Sequence, residues 1–499
     1  MITLFAAAIA SAISGSACTS LTGLELDNAR IIKAEAMPAG IFQPPTTNAP
    51  AANAPVSEPI PAHCRVTLLL TPTSDSTINA ELWLPMEHWN GRFLAIGNGG
   101  WAGAIQGYGD MQTALRRGYA TAASDSGHTA ADGPNGMFAL GHPEKIIDFA
   151  YRAIHDMTEK SKTIIAQVYD QAPQYSYYKG CSTGGRQGVM AAQRYPQDFD
   201  GIIAGALANR HVHMHTAGAY RTIDLNRNPQ KAIEDQATAD FVNTAIMQQC
   251  DVLKEGFLND PRQCGFDFST LECKATSAQG GSGESCLTHS QMQSVQEFYG
   301  GLHNSKGELI FSGQALGNRL PLLRATNEAP GGGAFDSIRI LGFQNADYDW
   351  RDFDLDRDMP IIDAKAGFVD AVDPDLSAFE ANGGKLLMYA GWNDTTITPL
   401  NTIYYYESVL TEMGADQNEW MRLFMVPGMG HCRGGDGPHE FDMLTKLEEW
   451  REEGNAPAEI PARNPESGLE RPLCVYPQTA AYDGSGDLQD AGNWSCRAL

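Results

Sequence analysis

Three residues in this sequence could together perform acyl transfer, and each stands at the end of a β-like stretch. Ser182 lies in Gly180-Cys181-Ser182-Thr183-Gly184. A hydroxyl is a poor nucleophile at neutral pH, so an attacking serine needs an adjacent base and exposure on a tight turn. Small residues on either side let a strand reverse into a helix with the serine at the apex. The β-like run Tyr175–Tyr178 precedes this pattern and a helix-like segment, 185–195, follows it. The base must be a histidine oriented by a carboxylate. Asp394 ends Gly391-Trp392-Asn393-Asp394, directly after a β-like run at 385–389, and His431 follows the last such run in Val426-Pro427-Gly428-Met429-Gly430-His431. The chain order serine, acid, histidine, each on a loop after a strand, places all three at the carboxyl edge of one sheet.

Two cysteines sharpen this reading. Cys181 immediately precedes Ser182, and Cys432 immediately follows His431. A disulfide between them would tie the two loops together and hold the Ser–His distance. Two unpaired thiols are the alternative. Other tempting residues are set aside. His211, His213 and His215 alternate without a companion carboxylate or cysteine motif, so they read as a polar strand leading into an inserted segment rather than as metal ligands. Ser124, Asp125, Ser126 and His128 are too close in sequence to converge as a triad and read as a loop supporting the site. The acidic run from Asp352 to Asp358 reads as a solvated face.

The elements that must position these groups follow from patterning. Short β-rich runs at 65–70, 79–84 and 92–96 are bounded by Pro, Asn and Gly. A helix-like segment at 108–117, a strand at 119–123 and a long helix at 145–170 come next. After the serine turn and its helix, alternation is lost from 209 to 370, where Cys250, Cys264, Cys273 and Cys286 cluster among Gly/Ser-rich turns. It resumes with a strand at 385–389, a helix at 401–413, a strand at 422–426 and a helix at 438–453. Strand–helix alternation implies a parallel sheet covered on both faces. The fold class is therefore α/β, with 18–208 and 371–499 forming one catalytic domain and 209–370 an inserted lid. Residues 37–62, rich in Pro, Ala and Asn, read as an irregular arm, and the tail with Cys474 and Cys496 as stapled by its own disulfide.

Bulk properties bound the compartment and the partners. The chain has 499 residues and a formal net charge of −25. That field repels nucleic acid and anionic membrane surfaces at long range. Ten cysteines with no C-x-x-C pair fit disulfides in an oxidising compartment rather than zinc or redox chemistry. An apolar run from Ile2 to Ile13, followed by Ser14-Gly15-Ser16-Ala17, reads as a signal peptide over 1–17. No later stretch reaches the ~18 apolar residues a membrane span needs. A secreted or periplasmic monomer is expected.

The constellation resembles the tannase and feruloyl esterase family, which also includes mono(2-hydroxyethyl) terephthalate hydrolases. The resemblance runs through Trp89-Asn90-Gly91-Arg92-Phe93, Gly97-Asn98-Gly99-Gly100, Asp125-Ser126-Gly127-His128, the Ser182 turn, Gly391-Trp392-Asn393-Asp394, Gly430-His431-Cys432 and Arg471-Pro472-Leu473-Cys474. It implies an α/β-hydrolase core and a catalytic triad of Ser182, Asp394 and His431. It further implies a Cys181–Cys432 disulfide and an oxyanion hole from the amides of Gly100 and Thr183. Physical reasoning agrees on the last point, because the residue after the nucleophile donates from a helix N-terminus. An aromatic acyl group, such as a hydroxycinnamate, gallate or benzoate, is the implied substrate, with Arg339 and Phe343 expected to grip its polar end and ring. Lids of the family commonly carry a calcium loop. Here Cys250-Asp251-Val252-Leu253-Lys254-Glu255-Gly256 is shortened, loses a carboxylate and gains a lysine. No cofactor is expected, a structural calcium near Asp251 and Glu255 being the alternative. The family's His-Gly before the acid is replaced by Ala390-Gly391. An esterase for acetyl or aliphatic esters and a non-catalytic binding protein of the same fold are the rival functions.

Overall fold

The computed structural model describes residues 12–45, 58–274 and 286–498. Most of the expected leader, residues 1–11, and part of the expected irregular arm, 46–57, lie outside the described residues. Within the leader's remaining span, Ile13 is buried in the core and its N–H donates to the Met86 carbonyl.

A nine-stranded sheet organises the chain, and its strand order is β1-β2-β3-β5-β4-β6-β7-β10-β11. The first three strands are β1 (Ala29–Met37), β2 (His63–Leu70) and β3 (Ile78–Pro85), which pair antiparallel at one side. Along β2 every second residue is fully buried, the period-two signature legible in Arg65–Leu70. The strands β4 (Arg92–Ile96), β5 (Ala120–Ser124), β6 (Tyr175–Cys181) and β7 (Gly201–Gly205) run parallel to one another. A small hairpin, β8 (Leu302–His303) and β9 (Leu309–Phe311), belongs to the inserted segment. The last two strands of the sheet, β10 (Lys385–Gly391) and β11 (Met421–Val426), join it in parallel beside β7. Two further antiparallel pairs close the chain: β12 (Glu459–Arg463) with β13 (Glu470–Cys474), and β14 (Thr479–Tyr482) with β15 (Trp494–Arg497). This is the α/β-hydrolase architecture expected from the alternation.

Strand alternation divides the sheet's side chains between two cores. Tyr178, Ile202 and Met388 face one; Tyr177, Ile203, Leu387 and Tyr389 face the other. The longer helices are α1 (Tyr108–Arg116), α2 (Ala153–Tyr169), α3 (Thr183–Arg194), α4 (His211–Arg227), α5 (Gln236–Cys250), α6 (His289–Gly300), α7 (Leu355–Ala366), α8 (Pro399–Met413) and α9 (Met443–Glu453). Helix α1 packs with the second core beside α9, whereas α2 and α8 cover the first.

Three local expectations are corrected. The histidines 211–215 do not form a strand; they open helix α4, where His211, Thr216, Ala219 and Ile223 are buried along one face. The helix expected at 145–170 is interrupted by a π turn at Asp148–Arg152. The acidic run is not wholly solvated: Asp358 is buried and accepts hydrogen bonds from Tyr348 Oη, the Asp354 amide and Arg357. Strands β1 and β7 had no counterpart in the sequence reading.

Five disulfides join Cys18–Cys64, Cys181–Cys432, Cys250–Cys264, Cys273–Cys286 and Cys474–Cys496. The segment between 209 and 371 leaves and rejoins the core at one point. The Ala371 amide donates to the Asn209 carbonyl, and Asn209 Nδ2 returns a bond to the Ala371 carbonyl.

Candidate active site

Ser182 sits between β6 and α3 at φ 63° and ψ −123°, a conformation that L-residues rarely adopt. Its backbone is fixed by neighbours: its amide donates to the Gly205 carbonyl at 3.0 Å, and its carbonyl accepts from the amides of Arg186 and Ala208. The first glycine of the pattern has a steric reason. A Cβ on Gly180 would lie 2.5 Å from the Gly184 carbonyl oxygen, so a larger residue would push the turn open. Strain of this kind persists only where surrounding structure over-determines it.

Asp394 is completely buried just beyond β10. Its Oδ1 accepts from the amides of Thr396 and Ile397, both at 2.8 Å, and its Oδ2 lies 2.8 Å from His431 Nδ1. With Oδ1 committed to backbone donors, the carboxylate is locked in the orientation that receives the imidazole. Nδ1 is therefore the nitrogen that donates to Asp394, and in the neutral ring Nε2 carries the lone pair. The histidine loop crosses the end of β10 closely, for a Cβ on Gly391 would run into the Met429 carbonyl. The Cys181–Cys432 disulfide fastens this loop to the serine turn, with Cα atoms 6.0 Å apart. Ser182 and His431 thus line one cleft of about 1380 Å³, together with Gly100.

Gly100, at φ 57°, lies in the loop between β4 and α1, and Thr183 opens α3. The Thr183 hydroxyl donates to the Gly100 carbonyl at 2.6 Å, pinning the two backbones against each other. A buried polar network holds the rest of the loop. Gln187 Oε1 accepts from the Asn98 amide, Ser126 Oγ donates to Asn98 Oδ1, and Asn98 Nδ2 donates to the Ser124 carbonyl. The Ser124–His128 stretch is accordingly a support for the Gly100 loop, as read from the sequence.

Behind Gly100, the next side chain carries a contact that sequence reasoning missed. The Trp101 ring stacks on Phe149 at 5.5 Å and on His215 at 5.1 Å, and meets His211 edge-on at 4.7 Å. His211 and His215 are one helical turn apart, whereas His213 turns away to Asp363 and the Ile310 carbonyl. Burial pulls His215 down to about 4 and His211 well below its ordinary value, so both rings are neutral packing surfaces. Arg186, fully buried, donates to the Phe149, Ala150 and Val369 carbonyls. The π turn at Asp148–Arg152 includes the first two of these carbonyls. Burial lowers Arg186 to about 10, which leaves it charged at neutral pH. Helix α3, helix α2 and the return point of the inserted segment are thereby joined through one guanidinium.

The structure does not bring Arg339 or Phe343 to the cleft. Arg339 is engaged by Asp336 at 2.8 Å and by the Ala346 carbonyl, and Phe343 stacks on Tyr348 at 4.6 Å. Nor do the residues near Asp251 fit a calcium ion. Both Asp251 carboxylate oxygens accept backbone amides, of Glu255 and Gly256, and Glu255 pairs with Arg471 at 2.6 Å. Among the described residues no three acidic, histidine or cysteine side chains come together here, whereas calcium takes six to eight oxygen ligands.

Comparison with known proteins agrees in sequence and in fold. A family model for tannase and feruloyl esterase matches residues 64–497. An uncharacterised esterase of Xanthomonas campestris pv. campestris is 34% identical over 98% of this chain and 92% of its own length. A probable feruloyl esterase B of Aspergillus clavatus is 31% identical over 95% of this chain and 94% of its own. The crystal structure of feruloyl esterase B from Aspergillus oryzae superposes with a TM-score of 0.84 at 29% identity, covering 97% of this chain and all of that one.

Proposed function

Because the chain belongs to the tannase and feruloyl esterase family and is a carboxylic ester hydrolase, we propose that it cleaves aromatic esters through an acyl-enzyme on Ser182. The observation that carries this reading is the pairing of two constraints: the Asp394–His431 hydrogen bond and the Cys181–Cys432 disulfide beside the nucleophile. His431 Nε2 takes the proton of Ser182, whose oxygen attacks the ester carbonyl. The resulting oxyanion rests on the amides of Gly100 and Thr183, whose backbones the Thr183 hydroxyl pins together. His431 then protonates the departing alcohol. Water activated by the same nitrogen releases the acid and restores the serine. Asp394 stabilises the imidazolium without taking its proton.

Relatives named feruloyl esterase support an aromatic acyl group, and five disulfides support a secreted or periplasmic location. Residues 18–208 and 371–499 form the catalytic domain and 209–370 the lid. The protein acts as a monomer and without a cofactor. Initial rates on methyl ferulate, methyl gallate and p-nitrophenyl acetate test the substrate class. Turnover of at least one aromatic methyl ester is expected; activity confined to the acetate would replace this reading with that of an acetyl esterase.

A further inference from the structure

Gly97, Asn98, Gly99 and Gly100 follow β4 in sequence, and three of their backbone amides are already engaged. The Gly97 amide donates to the Lys179 carbonyl of β6 at 2.9 Å, which continues the sheet by one rung. The Asn98 amide donates to Gln187 Oε1 at 3.0 Å, and the Gly99 amide to Gln106 Oε1 at 2.8 Å. The Gly100 amide donates to no acceptor among the described residues. Gly100 is exposed and lines the cleft that holds Ser182, so its N–H is the one of the four left for a ligand.

Of the two glutamines that hold this loop, only Gln187 belongs to the helix that follows the nucleophile. Gln106 precedes α1 and supports the loop from within its own stretch of chain. Gln187 lies on α3 one helical turn beyond Thr183, and residues so spaced share a face. On that face the Thr183 hydroxyl grips the Gly100 carbonyl and Gln187 grips Asn98. The two backbones approach closely, since a Cβ on Gly184 would lie 2.9 Å from the Asn98 carbonyl oxygen. Gln187, Asn98 and Ser126 are all buried. Gln187 Nε2 donates to Asn98 Oδ1 at 3.2 Å and to Ser126 Oγ at 3.0 Å. Ser126 Oγ donates to Asn98 Oδ1, and Asn98 Nδ2 to the Ser124 carbonyl, both at 2.7 Å. Every side-chain polar atom of the three therefore has a partner. Apolar side chains would fill the same volume with nothing to satisfy, whereas a fully satisfied polar network fixes a single arrangement. A primary amide supplies an acceptor for the Asn98 amide and donors for its side chain at once. Neither a carboxylate nor an apolar chain offers both.

We propose that Gln187 is a positioning residue for ester hydrolysis, and that it sets the Gly100 amide against Ser182 by holding Asn98. The assignment rests on the serine esterase reading of the same cleft. Gln187 does not line that cleft and acts only through the loop it holds. Acylation and deacylation both pass through an oxyanion, so a displaced Gly100 amide slows both steps alike and leaves KM in place.

The test is Gln187→Met, which keeps the length of the side chain and removes its acceptor and donors. On the best methyl ester, kcat is expected to fall about tenfold while KM stays within about twofold. An aryl trifluoromethyl ketone reads the oxyanion directly. Ser182 Oγ adds to its carbonyl carbon, the C=O π pair moves onto oxygen, and the hydroxyl proton passes to His431. Its inhibition constant should rise by about the same tenfold, while that of the free aromatic acid, which forms no adduct, moves less than about twofold. Loss of packing alone predicts no such split. Gln187→Glu, equal in size, keeps an acceptor for the Asn98 amide and loses the Nε2 donors, so its kcat should fall about threefold or more. Melting temperatures show which variants fold. An unchanged kcat in either folded variant, or a loss carried by KM with ketone inhibition unaltered, would overturn the assignment. Failure of both variants to fold would make Gln187 a residue of the core alone and overturn it as well. An unmodified protein that hydrolyses no ester and is not inhibited by the ketone removes the esterase reading, and this assignment with it. An active unmodified protein with unaltered variants removes only the role of Gln187.

Discussion

At the scale of single residues, the site is a set of atoms whose freedom has been taken away in advance. Ser182 is held at positive φ by backbone bonds to Gly205 and Ala208, and Asp394 by two amides of its own loop. In the proposed mechanism Thr183 contributes twice, an amide toward the oxyanion and a hydroxyl that pins Gly100. These contributions separate in a Thr183→Val variant, which keeps the amide and the side-chain shape but loses the pin. Since a misplaced oxyanion donor weakens transition-state binding more than substrate binding, kcat should fall by about tenfold with KM nearly unchanged. Steady-state kinetics on the best methyl ester check this. The proposed triad stands out in the sequence because Ser182 and His431 each carry a cysteine neighbour, and the structure pairs those two cysteines. The neighbours of Arg339 and Phe343 were not legible in the sequence, for a physical reason. Sequence spacing within an irregular inserted segment does not say toward which neighbour a side chain turns, and here Asp336 and Tyr348 claim them.

At the scale of elements, the catalytic loops belong to separate strand ends, and two devices fasten them. The first is the Cys181–Cys432 bridge between the loops after β6 and β11. Removing it with Cys181→Ala and Cys432→Ala should lower kcat by about tenfold or more while KM changes little, because the Ser–His geometry loosens. An unchanged kcat would show that the strands alone hold that geometry. The second is the packing of α4 on Trp101, which backs the Gly100 loop. The sequence concealed this, since three alternating histidines imitate the period of a strand, whereas the helix needs only His211 and His215 on its inner face. A titration exposes the helix reading. His215 is pulled from 6.5 to about 4 in the folded protein, so below pH 6.5 the unfolded chain binds a proton that the native state refuses. The stability that a neutral His215 supports is present above pH 6.5 and is lost as pH falls toward 4. A His215→Gln variant escapes this loss. Its melting temperature should therefore rise relative to the parent between pH 7 and pH 4.5, whatever its offset at neutral pH. Asp370 and Asp125, both pushed upward by burial, titrate in both proteins and cancel in the difference.

At the scale of the whole molecule, the parallel part of the sheet, the inserted segment and the disulfide-rich character were readable because hydrophobic period, cysteine number and loss of alternation are long-range properties of a sequence, whereas the antiparallel pairing of β1, β2 and β3 was not read. Strand β7 was not. It is five residues long, begins and ends with glycine, and lies buried on both faces, so no alternation marks it. The extent of the cleft was equally hidden, because Lys179, Asp110 and Asp442, which line it, come from three elements distant in sequence. What the fold brings to one sheet edge is Ser182 at positive φ, a histidine tethered by Asp394 and by the disulfide, and the Gly100 and Thr183 backbones pinned together, with an open cleft beside them. The most direct test of that account is covalent. The folded, oxidised protein is treated with a fluorophosphonate, digested and mapped by mass spectrometry. The account predicts a single adduct on Ser182, with loss of ester hydrolysis in proportion to labelling and no labelling in Asp394→Asn on the same timescale. Stoichiometric loss of activity with the adduct on another residue, or full activity with Ser182 unmodified, would contradict it.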